Sequence, residues 1–271
     1  MKILILGSDP RNNEIINYYE EKGNIVVNEF SNINNIAVKE YDVIVFPVGG
    51  VTGNFKIGNM SIPIDFLDTC KKDVAIFSGI STNALSELLA HSNKKCTYIM
   101  HDQAVQKENA IPTTEGIIAD LVTNTEITIN NAKIMVIGFG NIGKYLIKIL
   151  REMGADIVVG VEREADFDKL NNMNFTSFYT SSKQMNRHLV NTDMIVNTAP
   201  SLVITEDHIK YFKKDVYILD VASAPYGIDM NALAGCGIPY KIYSSIPSKV
   251  APKTAGKILT KKINSTVGGL M

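Results

Sequence analysis

Six residues near the middle of the chain, Gly138-Phe139-Gly140-Asn141-Ile142-Gly143, place three glycines at a spacing suited to cradling a pyrophosphate. The apolar run Ile134–Ile137 precedes them directly, and the helical pattern Lys144–Met153 follows directly. In a strand–loop–helix of this kind Gly138 permits the tight turn, and Gly140 offers no side chain to block the phosphates. Gly143 lets the helix lie close to the strand, and the unpaired N–H groups at the helix start attract negative charge. This spacing predicts a dinucleotide site formed by Gly138, Phe139, Gly140, Asn141, Ile142 and Gly143. Glu162 lies 19 residues beyond Gly143, at the end of the next strand pattern. A carboxylate there accepts hydrogen bonds from ribose hydroxyls and favours NAD, whereas the adjacent Arg163 could hold a 2′-phosphate and favour NADP. The residues leave both cofactors open. Thr198-Ala199-Pro200 and Val221-Ala222 end later strand patterns, and are expected beside the same cofactor.

A second set of residues suits an anionic substrate. Ser8 and Arg11 follow the first strand pattern and open a helix, where an arginine can fork onto a carboxylate. Thr52 and Ser78 also follow strand patterns, and ligands of open α/β sheets lie beyond the carboxyl ends of strands. Ser81 reads as a helix cap. Lys249 and Lys253 flank the start of the last helix, a position unfavourable to cations unless an anion is near. For each of these the competing reading is a solvated surface group. The four histidines show no metal-ligand spacing, so no metal is expected. No nucleophile elbow or Walker loop is present, which argues against hydrolase and phosphoryl-transfer chemistry.

The surrounding elements must hold these residues in place. Short apolar runs alternate with helical patterns twice along the 271 residues. This alternation predicts an α/β fold of two Rossmann-like lobes, the C-terminal one a dinucleotide-binding doubly wound parallel sheet. Strands are expected at Lys2–Leu6, Asn24–Val27, Asp42–Phe46, Val74–Phe77, Cys96–Met100, Lys133–Ile137, Asp156–Val161, Met194–Asn197 and Tyr217–Val221. Helices are expected at Asn13–Lys22, Phe66–Lys71, Thr82–Ala90, Thr113–Val122, Ile142–Glu152 and near Thr205–Phe212. The helix at Thr113 is taken to open on Pro112, with Glu115 in its first turn, and a flexible loop is expected at Gly49–Gly58. Residues 1–125 then form a substrate or partner domain and 126–250 the NAD(P)-binding domain. Residues 251–271 form a final helix, Lys253–Leu270, returning to the first lobe. Twenty-seven Lys and Arg against 28 Asp and Glu give no field that would recruit nucleic acid or an anionic membrane. No apolar stretch reaches the roughly 20 residues of a spanning helix, and no export signal is apparent. Three scattered cysteines fit a reducing, cytoplasmic setting.

Several segments together resemble the dipicolinate synthase A subunit family along nearly the full chain. They are Gly7-Ser8-Asp9-Pro10-Arg11, Phe77-Ser78-Gly79-Ile80-Ser81, Ile111-Pro112-Thr113-Thr114-Glu115-Gly116, the glycine loop, Asn197-Thr198-Ala199-Pro200-Ser201, Leu219-Asp220-Val221-Ala222-Ser223 and Val250-Ala251-Pro252-Lys253-Thr254-Ala255-Gly256. The resemblance implies an oxidoreductase of sporulating bacteria that converts dihydrodipicolinate to pyridine-2,6-dicarboxylate in the mother-cell cytoplasm. It also implies NADP as the usual cofactor, a flavoprotein-like B subunit as partner, and a homo- or hetero-oligomer. The substrate is then a cyclic dianion held between the lobes, with Ser8, Arg11, Thr52, Ser78, Thr113, Lys249, Lys253 and Thr254 as its expected contacts. Lys253, Glu115 and His101 are the candidate acid–base groups, with solvent as an alternative base. The chain departs from the family pattern at Ala224, where an arginine is expected, at Ser244–Ser248, and at Glu162, where members can carry an arginine. Two other readings stand beside this one: a two-domain NAD-dependent 2-hydroxy acid dehydrogenase, and a non-catalytic NAD(P)-binding subunit serving a flavoprotein.

Overall fold

The computed structural model describes residues 1–33 and 36–268. In chain order its strands are β1 Lys2–Leu6, β2 Ile25–Glu29, β3 Val43–Val45, β4 Lys56–Ile57, β5 Met60–Ser61, β6 Ala75–Ser78, β7 Thr97–Tyr98, β8 Lys133–Ile137, β9 Asp156–Val161, β10 Thr176–Tyr179, β11 Met194–Asn197, β12 Tyr217–Asp220 and β13 Tyr240–Ile242. The helices are α1 Asn12–Glu20, α2 Asn83–His91, α3 Gln103–Asn124, α4 Asn141–Glu152, α5 Glu164–Asn172, α6 Gln184–Leu189, α7 Glu206–Ile209, α8 Met230–Leu233, α9 Ile246–Val250 and α10 Pro252–Val267. Two compact units result, one of residues 1–109 with 247–271 and the other of residues 110–246. The division falls inside α3 rather than after residue 125.

In the first unit five parallel strands run in the order β2-β1-β3-β6-β7. Ile3, Leu4 and Ile5 of β1 are fully buried, because a parallel strand covered on both faces reads as a continuous apolar run. One face packs under Leu85 and Leu88 of α2, the other under Ile15 and Tyr19 of α1 and Ile258, Leu259 and Ile263 of α10. Gly256 brings α10 onto α1, since a Cβ there would lie 2.6 Å from the Arg11 carbonyl oxygen. The last helix therefore belongs to the first lobe. It ends at Val267, and the expected continuation to Leu270 runs outside the described residues.

In the second unit six parallel strands run in the order β10-β9-β8-β11-β12-β13, the doubly wound order of dinucleotide-binding folds. Ile134, Met135, Val136 and Ile137 of β8 are fully buried at its centre. Asp120 of α3 is 5% exposed and accepts a hydrogen bond from the Tyr217 hydroxyl at 2.6 Å, with Lys241 Nζ as its second partner. Burial, followed by the bond to Asp120, pushes the Tyr217 phenol pKa up. Tyr217→Phe removes one donor from a buried carboxylate, so urea unfolding should show a loss of about 1–2 kcal/mol. Unchanged stability would contradict this account of how α3 is tied to the sheet.

Several elements differ from the sequence expectations. Helix α3 begins ten residues before Thr113, because the Asp102 carboxylate caps it by accepting from the N–H groups of Ala104 and Val105 at 2.8 and 3.2 Å. Pro112 lies in its interior, and Glu115 is mid-helix rather than in a first turn. Thr82, not Ser81, caps α2 by accepting from the Leu85 N–H at 3.3 Å. Phe66–Lys71 forms turns rather than a helix, and the Gly49–Gly58 loop contributes β4 to a small hairpin. Near Thr205–Phe212 the helix closes after Ile209. Cys70 is buried, Cys96 partly buried and Cys236 exposed. Among the described residues no helix is long and apolar enough to cross a membrane.

Candidate functional site

Strand order in the second unit reverses between β8 and β11, so a crevice opens there at the carboxyl ends of the strands. The glycine loop follows β8 and the Thr198 loop follows β11. Thr198 ties the two together by donating its N–H and its hydroxyl to the Ile137 carbonyl, at 2.8 and 2.9 Å. Gly138 has φ +98°, a conformation L side chains rarely adopt, and a Cβ there would lie 2.5 Å from Thr198 Oγ1. A Cβ on Gly143 would lie 2.2 Å from the Gly138 carbonyl oxygen, which is how α4 approaches the strand so closely.

Gly140 differs from both. It is the N-cap of α4, makes no side-chain cap bond, and a Cβ on it would meet no atom within 4 Å. The helix start therefore faces open space that a side chain would fill. These residues fit the pyrophosphate of a dinucleotide, because the N–H groups of a helix start and the helix macrodipole favour an anion there.

The crevice continues into a cavity of about 370 Å³, lined by Gly138, Phe139, Gly140, Glu162, Arg163, Thr198, Ala199 and Pro200 among others. Phe139 is 6% exposed and supports the loop from below, with Lys144 Nζ 5.1 Å from its ring centre. Asn141, Ile142 and Gly143 stand behind it in the first turn of α4. Glu162 reaches across to accept the Ser201 hydroxyl at 3.0 Å. Arg163 pairs with Asp166, its Nε donating to Oδ2 at 2.7 Å. Asp166, Thr180 and Ser201 also line the cavity, and none of them is among the site residues expected from sequence. For Asp166 the available signal is its spacing of three residues from Arg163 at a helix start.

Below the Thr198 loop lies a buried polar network. Asp220, 1% exposed, accepts from the N–H groups of Ala222 and Gly227 and from Asn197 Nδ2, each at 2.9 Å. Asn197, fully buried, also donates to the Ala199 carbonyl at 3.0 Å. Gly227 is required because a Cβ there would lie 2.3 Å from Asn197 Nδ2. The network sets the course of Thr198–Pro200 and of Val221-Ala222, the two segments expected beside the cofactor. Of these, Thr198, Ala199 and Pro200 reach the cavity wall, whereas Val221 and Ala222 do not.

The anion candidates distribute differently. Ser8 and Arg11 follow β1, Thr52 follows β3 and Ser78 ends β6 in the first unit, at the carboxyl edge of its sheet. Arg11 is 5% exposed and its fork is already closed on Asp9, with Nε to Oδ1 at 2.8 Å and Nη2 to Oδ2 at 2.6 Å. Burial pushes the Asp9 carboxyl up, but the side-chain and backbone hydrogen bonds from Arg11 together hold it below the usual range. Where a fork open to a substrate carboxylate is expected, the Nε–Nη2 edge of Arg11 is paired with the carboxylate of Asp9. Ser78 is likewise fully buried, its hydroxyl donating to the Pro47 and Ile80 carbonyls at 3.3 and 3.0 Å. Thr52 is exposed and donates to the Lys56 carbonyl at 3.1 Å, and Ser8 is exposed.

Lys249 lies in α9, while Lys253 and Thr254 lie in the first turn of α10; all three are exposed. Lys253 lines a groove with Glu14 of α1 and Glu21, which follows that helix. His101 is exposed just before α3, with its ring 5.2 Å from that of Tyr98. Thr113 is buried and Glu115 exposed, both on the part of α3 that belongs to the second unit. Among the described residues no group of three His, Cys, Asp or Glu could hold a metal ion.

Comparison with known proteins bears on the whole chain. Residues 109–230 match the family described as alanine dehydrogenase/PNT, C-terminal domain. The dipicolinate synthase A subunit of Bacillus subtilis (strain 168) is 29% identical over 97% of this chain and 95% of its own. The crystal structure of the A chain of that synthase superposes with a TM-score of 0.87 at 28% identity, covering 99% of this chain and 96% of that one. The dipicolinate synthase A subunit from Bacillus halodurans superposes with a TM-score of 0.90 at 24% identity, over 98% and 97% of the two chains.

Proposed function

Because this chain is related along its whole length to the A subunit of dipicolinate synthase, we propose that it oxidises dihydrodipicolinate to pyridine-2,6-dicarboxylate with a nicotinamide dinucleotide. The observation that carries the reading is the open space left by Gly140 at the start of α4, at the switch point of a doubly wound sheet. Gly138, Gly140 and the first turn of α4 would hold the pyrophosphate, Glu162 the adenosine ribose, and Thr198–Pro200 the wall beyond it. When bound, the nicotinamide supplies the hydride acceptor. The ring loses two hydrogens, one with its electron pair and one as a proton, and gains aromaticity. Positioning and proton removal are what the protein must add.

The substrate carries two carboxylates, which leave water only toward cations or aligned N–H donors. With Arg11 engaged by Asp9, Lys253 and Lys249 are the cations assigned to them, assisted by Ser8, Thr52 and Thr254. Lys253, His101 and Glu115 remain the groups proposed to take the proton. For the cofactor, NAD is favoured over NADP, because the Glu162 carboxylate at the cavity wall suits ribose hydroxyls and repels a 2′-phosphate. The designation of the relatives as an A subunit supports a complex of more than one subunit, and the proposed partner is the flavoprotein-like B subunit that the resemblance implies. The proposed setting is the mother-cell cytoplasm.

Nicotinamide reduction and pyridine-dicarboxylate formation, followed together with and without the second subunit, test this reading. Both signals should rise when dihydrodipicolinate and NAD are supplied, and neither should rise without the chain. Product formed with no change in the nicotinamide signal would point to a cofactor-binding subunit whose partner does the chemistry. Oxidation of 2-hydroxy acids in place of dihydrodipicolinate would overturn the substrate assignment.

A further inference from the structure

Arg163 is the cation lining the cavity beside Glu162, and it is the group a 2′-phosphate would need. The structure assigns Asp166 the task of withholding it: we propose that Asp166 selects the unphosphorylated cofactor by keeping the Arg163 fork on itself. This rests on the dinucleotide reading of the same cavity.

The geometry is local and specific. Arg163 is the N-cap of α5, and Asp166 is the third residue of that helix. The Asp166 N–H donates to the Arg163 carbonyl at 3.1 Å, so the backbone brings the two side chains to one side. Arg163 Nε and Nη2 lie 2.7 and 2.5 Å from the same oxygen, Asp166 Oδ2. These two nitrogens form the planar edge with which an arginine clasps a phosphate. The Asp166 side chain is only 11% exposed, whereas that of Arg163 is 73% exposed. Swinging Arg163 toward a phosphate would leave Asp166 largely buried without its partner, which is costly. Asp166 itself lines the cavity, so a phosphate would meet it as well as Glu162. Its place in the first turn of α5 keeps the carboxylate favoured by the helix dipole. An arginine in the expected position is thereby prevented from serving the phosphorylated cofactor.

The test measures NADH and NADPH binding by nicotinamide fluorescence in four full-length proteins. The wild type should bind NADH more tightly. Asp166→Asn keeps the shape of the side chain and frees Arg163, so NADPH binding should tighten by about tenfold, the worth of one charge-assisted contact, with NADH changing by less than about threefold. Adding Arg163→Ala to Asp166→Asn should cancel that gain. Arg163→Ala alone, at an exposed side chain that does not threaten folding, should leave the preference within about twofold. An unchanged cofactor ratio in Asp166→Asn, or a loss of NADPH affinity of about tenfold in Arg163→Ala alone, would overturn the assignment to Asp166 while leaving the dinucleotide site intact. Failure of the wild type to bind either cofactor would overturn the dinucleotide reading, and this inference with it.

Discussion

Gly140→Val is expected to weaken dinucleotide binding by about 100-fold or more while the protein stays folded. Its backbone, at φ −78° and ψ −162°, is extended and open to any residue. No atom lies within 4 Å of the new Cβ, so the substitution starts in open space rather than against a neighbour. What it meets is the path of the pyrophosphate across the start of α4. Valine is a poorer helix cap than glycine, and that alone should cost no more than about 1 kcal/mol. The neighbouring glycines make the contrast. A side chain at Gly138 would strike Thr198 and one at Gly143 the Gly138 carbonyl, so substitutions there should damage the fold together with the site. Fluorescence titration with NADH alongside thermal unfolding separates the two effects. A folded Gly140→Val protein that binds NADH like the wild type would show that the cofactor does not lie here.

Asp220→Ala is the substitution expected to cost most in stability. It leaves the N–H groups of Ala222 and Gly227 and one Asn197 amide hydrogen without their acceptor in a site that water does not reach. Each unsatisfied buried donor costs about 1–3 kcal/mol, and partial relaxation of the 221–227 loop should bring the total to about 3–5 kcal/mol. Asp220→Asn keeps one acceptor oxygen but turns an amide N–H₂ toward the other donors, so it should fall between alanine and the wild type. Urea unfolding measures both. Because the same network sets the Thr198 loop, cofactor affinity should fall in the order wild type, Asn, Ala. A loss below about 1 kcal/mol in Asp220→Ala would mean that the loops hold their course without the carboxylate.

The parts of this structure legible in sequence are those with a local cause. Strands β8 and β11 are buried on both faces, so Ile134–Ile137 and Met194–Asn197 read as apolar runs with sharp ends. The glycine loop between β8 and α4 is readable because its three glycines follow an apolar strand at a fixed spacing and lead directly into a helical pattern. The edge strands β10 and β13 leave no such signal, since Thr176-Ser177 and Tyr240-Lys241 interrupt any apolar pattern. Helix α3 starts where sequence does not place it because a proline commonly opens a helix, whereas here the opening is set by Asp102, ten residues earlier. The Asn197–Asp220 network joins residues 23 positions apart through side chains, and no periodicity announces such a pairing. Arg11 shows a subtler limit. Its type and position suit an anion, and only the folded chain reveals that Asp9, two residues away, already occupies one edge of its fork.

Anaerobic reaction of the chain with NAD and dihydrodipicolinate tests the central claim most directly, because without oxygen the dihydropyridine ring has no other electron acceptor. The account predicts NADH and pyridine-2,6-dicarboxylate formed one for one by the wild type, and neither formed by Gly140→Val. Pyridine-2,6-dicarboxylate appearing without NADH, or equally fast in Gly140→Val, would contradict it.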